Sequence, residues 1–230
     1  MKRLCLLLTA AFMVVFTVSA QDNCDGYFQF KEGSKVEMTI YDKNDKPASM
    51  VRNQVVKKSS LGGGFSLVFK SETFDAKGKR LMTSGEYNGR CENGSFYCDI
   101  RNISSDVMPK GSDFEVSFVG DQIIYPNQLV AGQTLSDASV KVSSSIKGGM
   151  TIMTVNIAYT NRKVEGFETV QTPAGKFECV KISYDLSIKI MGTRRMKGVE
   201  YLAKGVGMVK SEMYDEKGRK ESTTLLTKME

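Results

Sequence analysis

The side chains that most often do chemistry are scarce in this chain. There is no histidine among the 230 residues, which removes the commonest general base and the commonest metal ligand. Neither a Ser-His-Asp nor a Cys-His arrangement can form. Beyond the first twenty residues stand Cys24, Cys91, Cys98 and Cys179. None of them is spaced as CxxC, and no histidine can complete a set, so zinc fits poorly. Neither a metal site nor a cofactor is expected. Asp and Glu are numerous enough for a glycosidase-like carboxylate pair to assemble in space. No spacing points to one, and solvated surface carboxylates are the expectation. The residues therefore read as a protein that is not an enzyme.

The cysteines have a second use. Four in an exported chain suggest disulfides, with three pairings open. Cys91 and Cys98 flank Asn93-Gly94, a dipeptide suited to a two-residue hairpin turn. That turn sets Cys91 opposite Phe96 and Cys98 opposite Gly89, so the two sulfurs lie diagonally, an awkward geometry for a bridge. We favour Cys24–Cys179, with Cys91 and Cys98 free or joined through a wider loop.

Export is read from the first twenty residues. Lys2 and Arg3 precede an apolar run from Leu4 to Val18, and Val18-Ser19-Ala20 places small residues before a cut at Gln21. The run is shorter than the roughly 20 residues that span a bilayer, and no later run is long enough, so no membrane span is expected in the mature chain. Gln21-Asp22-Asn23 ahead of Cys24 lacks the small, apolar residues of a lipobox. The mature protein is thus expected in the periplasm or outside the cell. Loss of Lys2 and Arg3 takes the formal charge from +6 to +4. Bases and acids are interspersed without a basic block, which argues against a nucleic-acid partner.

The remaining residues, 21–230, read as strands and turns. Met153, Val155, Ile157 and Tyr159 alternate with polar neighbours, as do Val36, Met38 and Ile40. The longest alternation is Val180, Ile182, Tyr184, Leu186, Ile188 and Ile190, which fits an antiparallel strand with one wet face. Phe177 and Cys179 fall on the opposite parity, so a bulge near Cys179 is expected. Three phrases beginning Tyr41-Asp42, Phe74-Asp75 and Tyr214-Asp215 share an Asp followed three residues later by Asp or Gly, then a base. Each predicts a hairpin turn opened by the Asp side chain. Helix is expected only as short turns near 22–28 and 105–111. Pattern is weakest over 126–149, taken as a connection between strand groups at about 22–125 and 150–230 within a single mature domain.

Two C-terminal phrases carry a resemblance: Thr172-Pro173-Ala174-Gly175-Lys176-Phe177, and Gly205-Val206-Gly207-Met208-Val209-Lys210. Over residues 126–228 the chain resembles an exported bacterial family defined as domain of unknown function 3108. That resemblance implies a large curved antiparallel sheet, a half-barrel like that of periplasmic lipoprotein carriers such as LolA, all-β or β-dominated with little helix. It brings no catalytic residues. Both phrases also have a structural explanation in a Pro-Gly hairpin and in a close backbone approach.

A curved sheet encloses a concavity, and apolar concavities are common ligand sites. The expected lining is Met153, Val155, Ile157, Tyr159, Ile182, Tyr184, Leu186, Ile188, Ile190 and Met208, and the expected occupant an apolar small molecule, a lipid or an acyl chain. The alternative is a structural or protein-interaction module of the cell envelope, in which these residues fill a closed core.

Overall fold

The computed structural model describes residue 24 and residues 26–99 and 113–230. The export signal and the helical turn expected at 105–111 lie outside them. Thirteen strands follow in chain order: β1 (Lys35–Asp42), β2 (Pro47–Leu61), β3 (Gly64–Asp75), β4 (Leu81–Glu92), β5 (Ser95–Cys98), β6 (Phe114–Gly120), β7 (Ile123–Pro126), β8 (Ala138–Ile146), β9 (Thr151–Thr172), β10 (Gly175–Lys189), β11 (Thr193–Ala203), β12 (Gly207–Asp215) and β13 (Lys220–Met229). They form one antiparallel sheet in the order β6-β8-β9-β10-β11-β12-β13-β1-β2-β3-β4-β5-β7. No helix occurs among the described residues.

Two features show that the sheet is rolled without being closed. The edge strands β6 and β7 lie at opposite ends of the order, yet only Asp121 and Gln122 separate them in the chain. Gly120 makes this crossing feasible: its φ is 143°, and a Cβ there would stand 2.1 Å from the Ser139 carbonyl oxygen. In addition, the tip of the β9–β10 hairpin reaches β13, where the Ala174 amide donates to the Leu226 carbonyl at 3.4 Å.

Local chemistry sets the turns. Asp42 Oδ1 accepts the amides of Asn44 and Lys46, each at 2.9 Å. Asp75 does the same for Lys79, and Asp215 for Lys217 and Arg219. The residue three beyond each Asp takes the left-handed conformation: Asp45 (φ 58°), Gly78 (66°) and Gly218 (76°). Asn93 and Gly94 both have positive φ, and this hairpin sets Cys91 opposite Phe96 and Cys98 opposite Gly89.

The disulfide differs from the expectation. Cys24 is bonded to Cys91, with Cα atoms 5.9 Å apart, and not to Cys179. Cys24 and Cys91 belong to the main core, whereas Cys179 is buried in a second cluster with Val170, Tyr201 and Leu226. The two clusters explain the parity break as well. No bulge occurs at Cys179, and β10 pairs β11 without a shift. Val180 faces the main core and its neighbour Cys179 faces the other cluster, so both are buried. The bulges fall on β9, opposite Lys181/Ile182 and Ser183/Asp185.

Segment 126–149 is more than a connection, since it holds β8, whose Ala138, Val140, Val142 and Ser144 are buried alternately. Its inward side chains are small, which is why the apolar alternation is faint in sequence.

Candidate functional site

The concave side holds a cavity of about 190 Å³. Its walls come from both halves of the sheet and from the segment preceding β1. Six aromatic residues border it: Phe28, Phe30, Phe69, Tyr87, Phe96 and Tyr125. Val36, Met38, Leu202, Val206 and Met208 supply aliphatic surface, and Asn53, Cys98 and Glu200 the polar atoms.

The aromatic residues form two linked groups. Phe28 stacks on Phe96 with ring centroids 4.3 Å apart and lies 5.1 Å from Tyr125. Phe30 meets Phe69 edge-on at 5.6 Å, and Phe69 stacks on Tyr87 at 4.7 Å. Glycine makes room for this packing: a Cβ at Gly89 would stand 2.4 Å from the tip of the Phe96 ring. Phe28 and Phe30 lie on a strap held to the sheet by the Cys24–Cys91 disulfide and by the Gly207 amide, which donates to the Tyr27 carbonyl at 2.7 Å.

Glu200 is the charged residue in the wall, and it is only 8% exposed. The Tyr125 hydroxyl donates to its Oε2 at 3.1 Å. Burial pushes the Glu200 carboxyl above the ordinary carboxylate range, while the positive charge of Arg162 and the Tyr125 hydrogen bond pull it back. Cys98 borders the cavity as a free thiol pushed up to about 12, chiefly by burial and then by the negative charges of Glu200 and Asp99. Such a thiol is not a nucleophile at neutral pH.

Arg162, behind this wall, is 1% exposed. Its guanidinium carbon lies 5.0 Å from the Tyr125 ring centroid. Nη1 donates to the carbonyls of Ile124 at 3.1 Å and Ser136 at 2.9 Å. Asn127 donates its amide to Gly94, and by the alternation of an antiparallel ladder this turns the Ile124 carbonyl toward the free edge of β7. Arg162 therefore caps an edge strand and adds a positive charge beside Glu200. Its Nη2 has no hydrogen-bond partner among the described residues.

Of the lining expected from sequence, Met208 borders the cavity. Val155, Ile157, Ile182 and Leu186 are buried in the main core, with Met153, Tyr159, Tyr184 and Ile188 packed against it. Ile190 is exposed. The residues that do make the wall were missed for identifiable reasons. The aromatic residues lie in the first half of the chain, where no long alternation draws the eye. Glu200 shares its parity on β11 with Met196, Gly198 and Leu202, so a charged residue on an apolar face was the available signal. Arg162 had none, because the alternation 153, 155, 157, 159 would point it outward. Asn161, at φ 53°, lies at a bulge that reverses the parity.

Known proteins share this architecture. A candidate exported protein of YmcC-like fold from Bacteroides fragilis is 25% identical with a TM-score of 0.74, over 90% of this chain and 100% of its own. A candidate lipoprotein from Parabacteroides distasonis gives the same identity and TM-score, over 90% of this chain and 99% of its own. No curated protein matches. The DUF3108-like family model matches residues 31–226, most of the chain, and to that family this protein belongs.

Proposed function

We propose that this is an exported, non-enzymatic envelope protein that holds the apolar part of a ligand in the aromatic cavity. The observation that carries the reading is a cavity of about 190 Å³ bordered by six aromatic residues and a single buried carboxylate. Close-packed cores have few voids larger than a water molecule. An engineered apolar cavity of about 150 Å³ admits benzene, so this one suits a compact group or the end of a chain. Whole drug-sized ligands take roughly 300–1,000 Å³, so a long acyl chain would enter by its end alone.

The absence of histidine from the chain favours binding over catalysis. The exported-protein and lipoprotein names of the two structural neighbours support an envelope location, and cleavage before Gln21 belongs to the same proposal. Cys24, bonded to Cys91, offers no free thiol for acylation. The half-barrel likeness to periplasmic lipoprotein carriers fits the reading too.

Native mass spectrometry on protein taken gently from its own envelope tests it. A reproducible adduct that is lost on denaturation, and reduced when Phe96→Trp fills the cavity, is the expected result. A bare chain, still bare after incubation with envelope lipid extract, would overturn the reading in favour of a structural or protein-interaction module.

A further inference from the structure

The turns at one end of the sheet have a chemistry of their own. Neighbouring strands are antiparallel throughout, so the hairpins β8–β9, β10–β11, β12–β13, β1–β2 and β3–β4 all turn at the same end. Val206, which borders the cavity, lies in the β11–β12 turn at the other end. The five tips are therefore a surface separate from the cavity.

Positive charge is concentrated on this surface. The β12–β13 turn, residues 215–221, balances three acids against three bases, and the β1–β2 turn balances Asp42 and Asp45 against Lys43 and Lys46. Lys147 in the β8–β9 turn is matched by Asp113, whose carbonyl accepts the Lys147 amide at 3.0 Å. The other two turns are not balanced. Lys77, Lys79 and Arg80 are set against Asp75 alone, and Lys189, Arg194 and Arg195 have no acid in their own turn. The end thus carries five more bases than acids. The whole chain carries +6, two of them Lys2 and Arg3, so everything else sums to −1.

The acids here are also already engaged. Asp42, Asp75 and Asp215 accept turn amides. Asp45, Glu216 and Glu221 pair with Lys220, Arg195 and Arg194. Lys77, Lys79, Arg80 and Lys189 are exposed and make no ion pair among the described residues.

Exposed apolar side chains share the unbalanced turns. Seven of the fourteen large apolar residues exposed among the described residues lie at this end. Leu81 and Met82 follow Arg80 directly, and Ile190 and Met191 stand between Lys189 and Arg194. Ile146, Met150 and Ile152 belong to the β8–β9 hairpin. Met191 is fully exposed and Met150 is 76% exposed. Single surface apolar residues are ordinary; here they sit beside unpaired bases in the same two turns.

We infer that this end docks on an anionic lipid surface, with its Lys and Arg side chains among the headgroups and Leu81, Met82, Met150 and Met191 entering the acyl boundary. Such binding grows with the apolar area buried and with attraction to anionic headgroups. A protein partner fits less well, because protein interfaces have a contiguous core enriched in aromatic residues and depleted of Lys. None of the seven apolar residues is aromatic. The two unbalanced tips are separated by two neutral hairpins, about 28 Å along the sheet at roughly 4.7 Å per strand. A fluid bilayer needs no shape match across that span.

Flotation of the mature protein with vesicles is the test. Phosphatidylglycerol vesicles should bind it and phosphatidylcholine vesicles should not, with binding weakened as salt rises towards about 1 M, where the Debye length is about 3 Å. Each base near an anionic surface is worth about fivefold, so Lys77→Gln with Arg80→Gln should weaken binding by about 10–30-fold. Met82→Ser with Met191→Ser, both exposed sites that leave the core intact, should weaken it by about 3–10-fold. Lys176→Gln with Lys204→Gln, on hairpins of the opposite end, should change it little. Equal binding to both kinds of vesicle would overturn the anionic preference, and a control pair as damaging as Lys77→Gln with Arg80→Gln would overturn the assignment to this end. Indifference to the two Met substitutions would overturn insertion. Binding to neither vesicle would overturn the docking outright in favour of an acidic protein partner. None of these outcomes bears on the cavity, which native mass spectrometry tests by itself.

Discussion

Replacing Arg162 with methionine should destabilise the protein measurably. The methylene stem is roughly preserved, so the loss is electrostatic. The carbonyls of Ile124 and Ser136 lose the Nη1 donor they hold at 3.1 and 2.9 Å. A fully buried acceptor left without a partner costs about 1–3 kcal/mol; Ile124 is half-buried and Ser136 exposed, so the pair together comes to about 2 kcal/mol. Glu200 also loses the positive charge that offsets its burial. Urea unfolding followed by tyrosine fluorescence is a suitable assay, because the chain has nine Tyr and no Trp. Arg162→Met should lower the unfolding free energy by about 2 kcal/mol. Glu200→Gln alone should cost far less. The double variant should then be less damaged than the two singles added together, by about 0.5–3 kcal/mol. A single-variant loss below about 1 kcal/mol would mean that the capped edge is solvated, and the reasoning would fail. Additivity within about 0.5 kcal/mol would show that Arg162 and Glu200 do not feel each other.

Other expectations follow from the same geometry. Gly198→Ala places a methyl 2.1 Å from Cζ of Tyr184; overpacking of that kind costs about 1–3 kcal/mol, measurable by urea unfolding and relieved by adding Tyr184→Ala. Replacing Cys24 and Cys91 together with serine releases a crosslink of sequence separation 67. Chain entropy sets the loss at no more than about 4 kcal/mol, and a thermal melt showing no change would contradict a native Cys24–Cys91 bond. Glu200 titrates above its ordinary value of 4.5 when folded, so the folded state holds its proton longer than the unfolded one. Its contribution is present below about pH 4.5 and fades as pH rises through the folded pKa. The wild type minus Glu200→Gln difference in stability should therefore fall with rising pH; a difference that rises would reverse the assigned sign. The exposed turn carboxylates Asp42, Asp75 and Asp215 are held low chiefly by backbone amides. They act in the opposite direction and cancel in that comparison.

Much of the sheet was legible because its signals are local. The Asp-led turns place a carboxylate beside its own backbone amides, and the positive-φ residue follows at a fixed offset. The alternation from Val180 to Ile188 survives because β10 runs beside β11 without a bulge. The candidate site was mostly illegible because its signals are not local. Arg162 is turned inward by a bulge at Asn161 that no propensity announces. Cys24 finds Cys91 only because the strap crosses the concave side. The aromatic wall joins Phe28, Phe69, Phe96 and Tyr125, which belong to different strands or to none. Glu200 was the exception, an acid on an apolar parity, visible had β11 been read as a strand. Strong alternation marks residues that fill a core, and so it led to β9 and β10 and away from the space that stays open.

The pairing of β1 with β13 has a consequence for when the sheet can be completed. Lys35 and Glu230 exchange backbone hydrogen bonds at 2.8 and 2.9 Å, so β13, the last of the thirteen strands in chain order, lies in the interior of the sheet. The strand run β8 to β13 and the run β1 to β5 pair with each other only along this seam. Synthesised from its N-terminus, the chain cannot zip the seam until β13 is available. Pairings of such long sequence separation form late, because the loop must close before any contact rewards it. The order of the strands thus leaves the sheet as two unjoined runs until β13 pairs with β1, and that one pairing completes it.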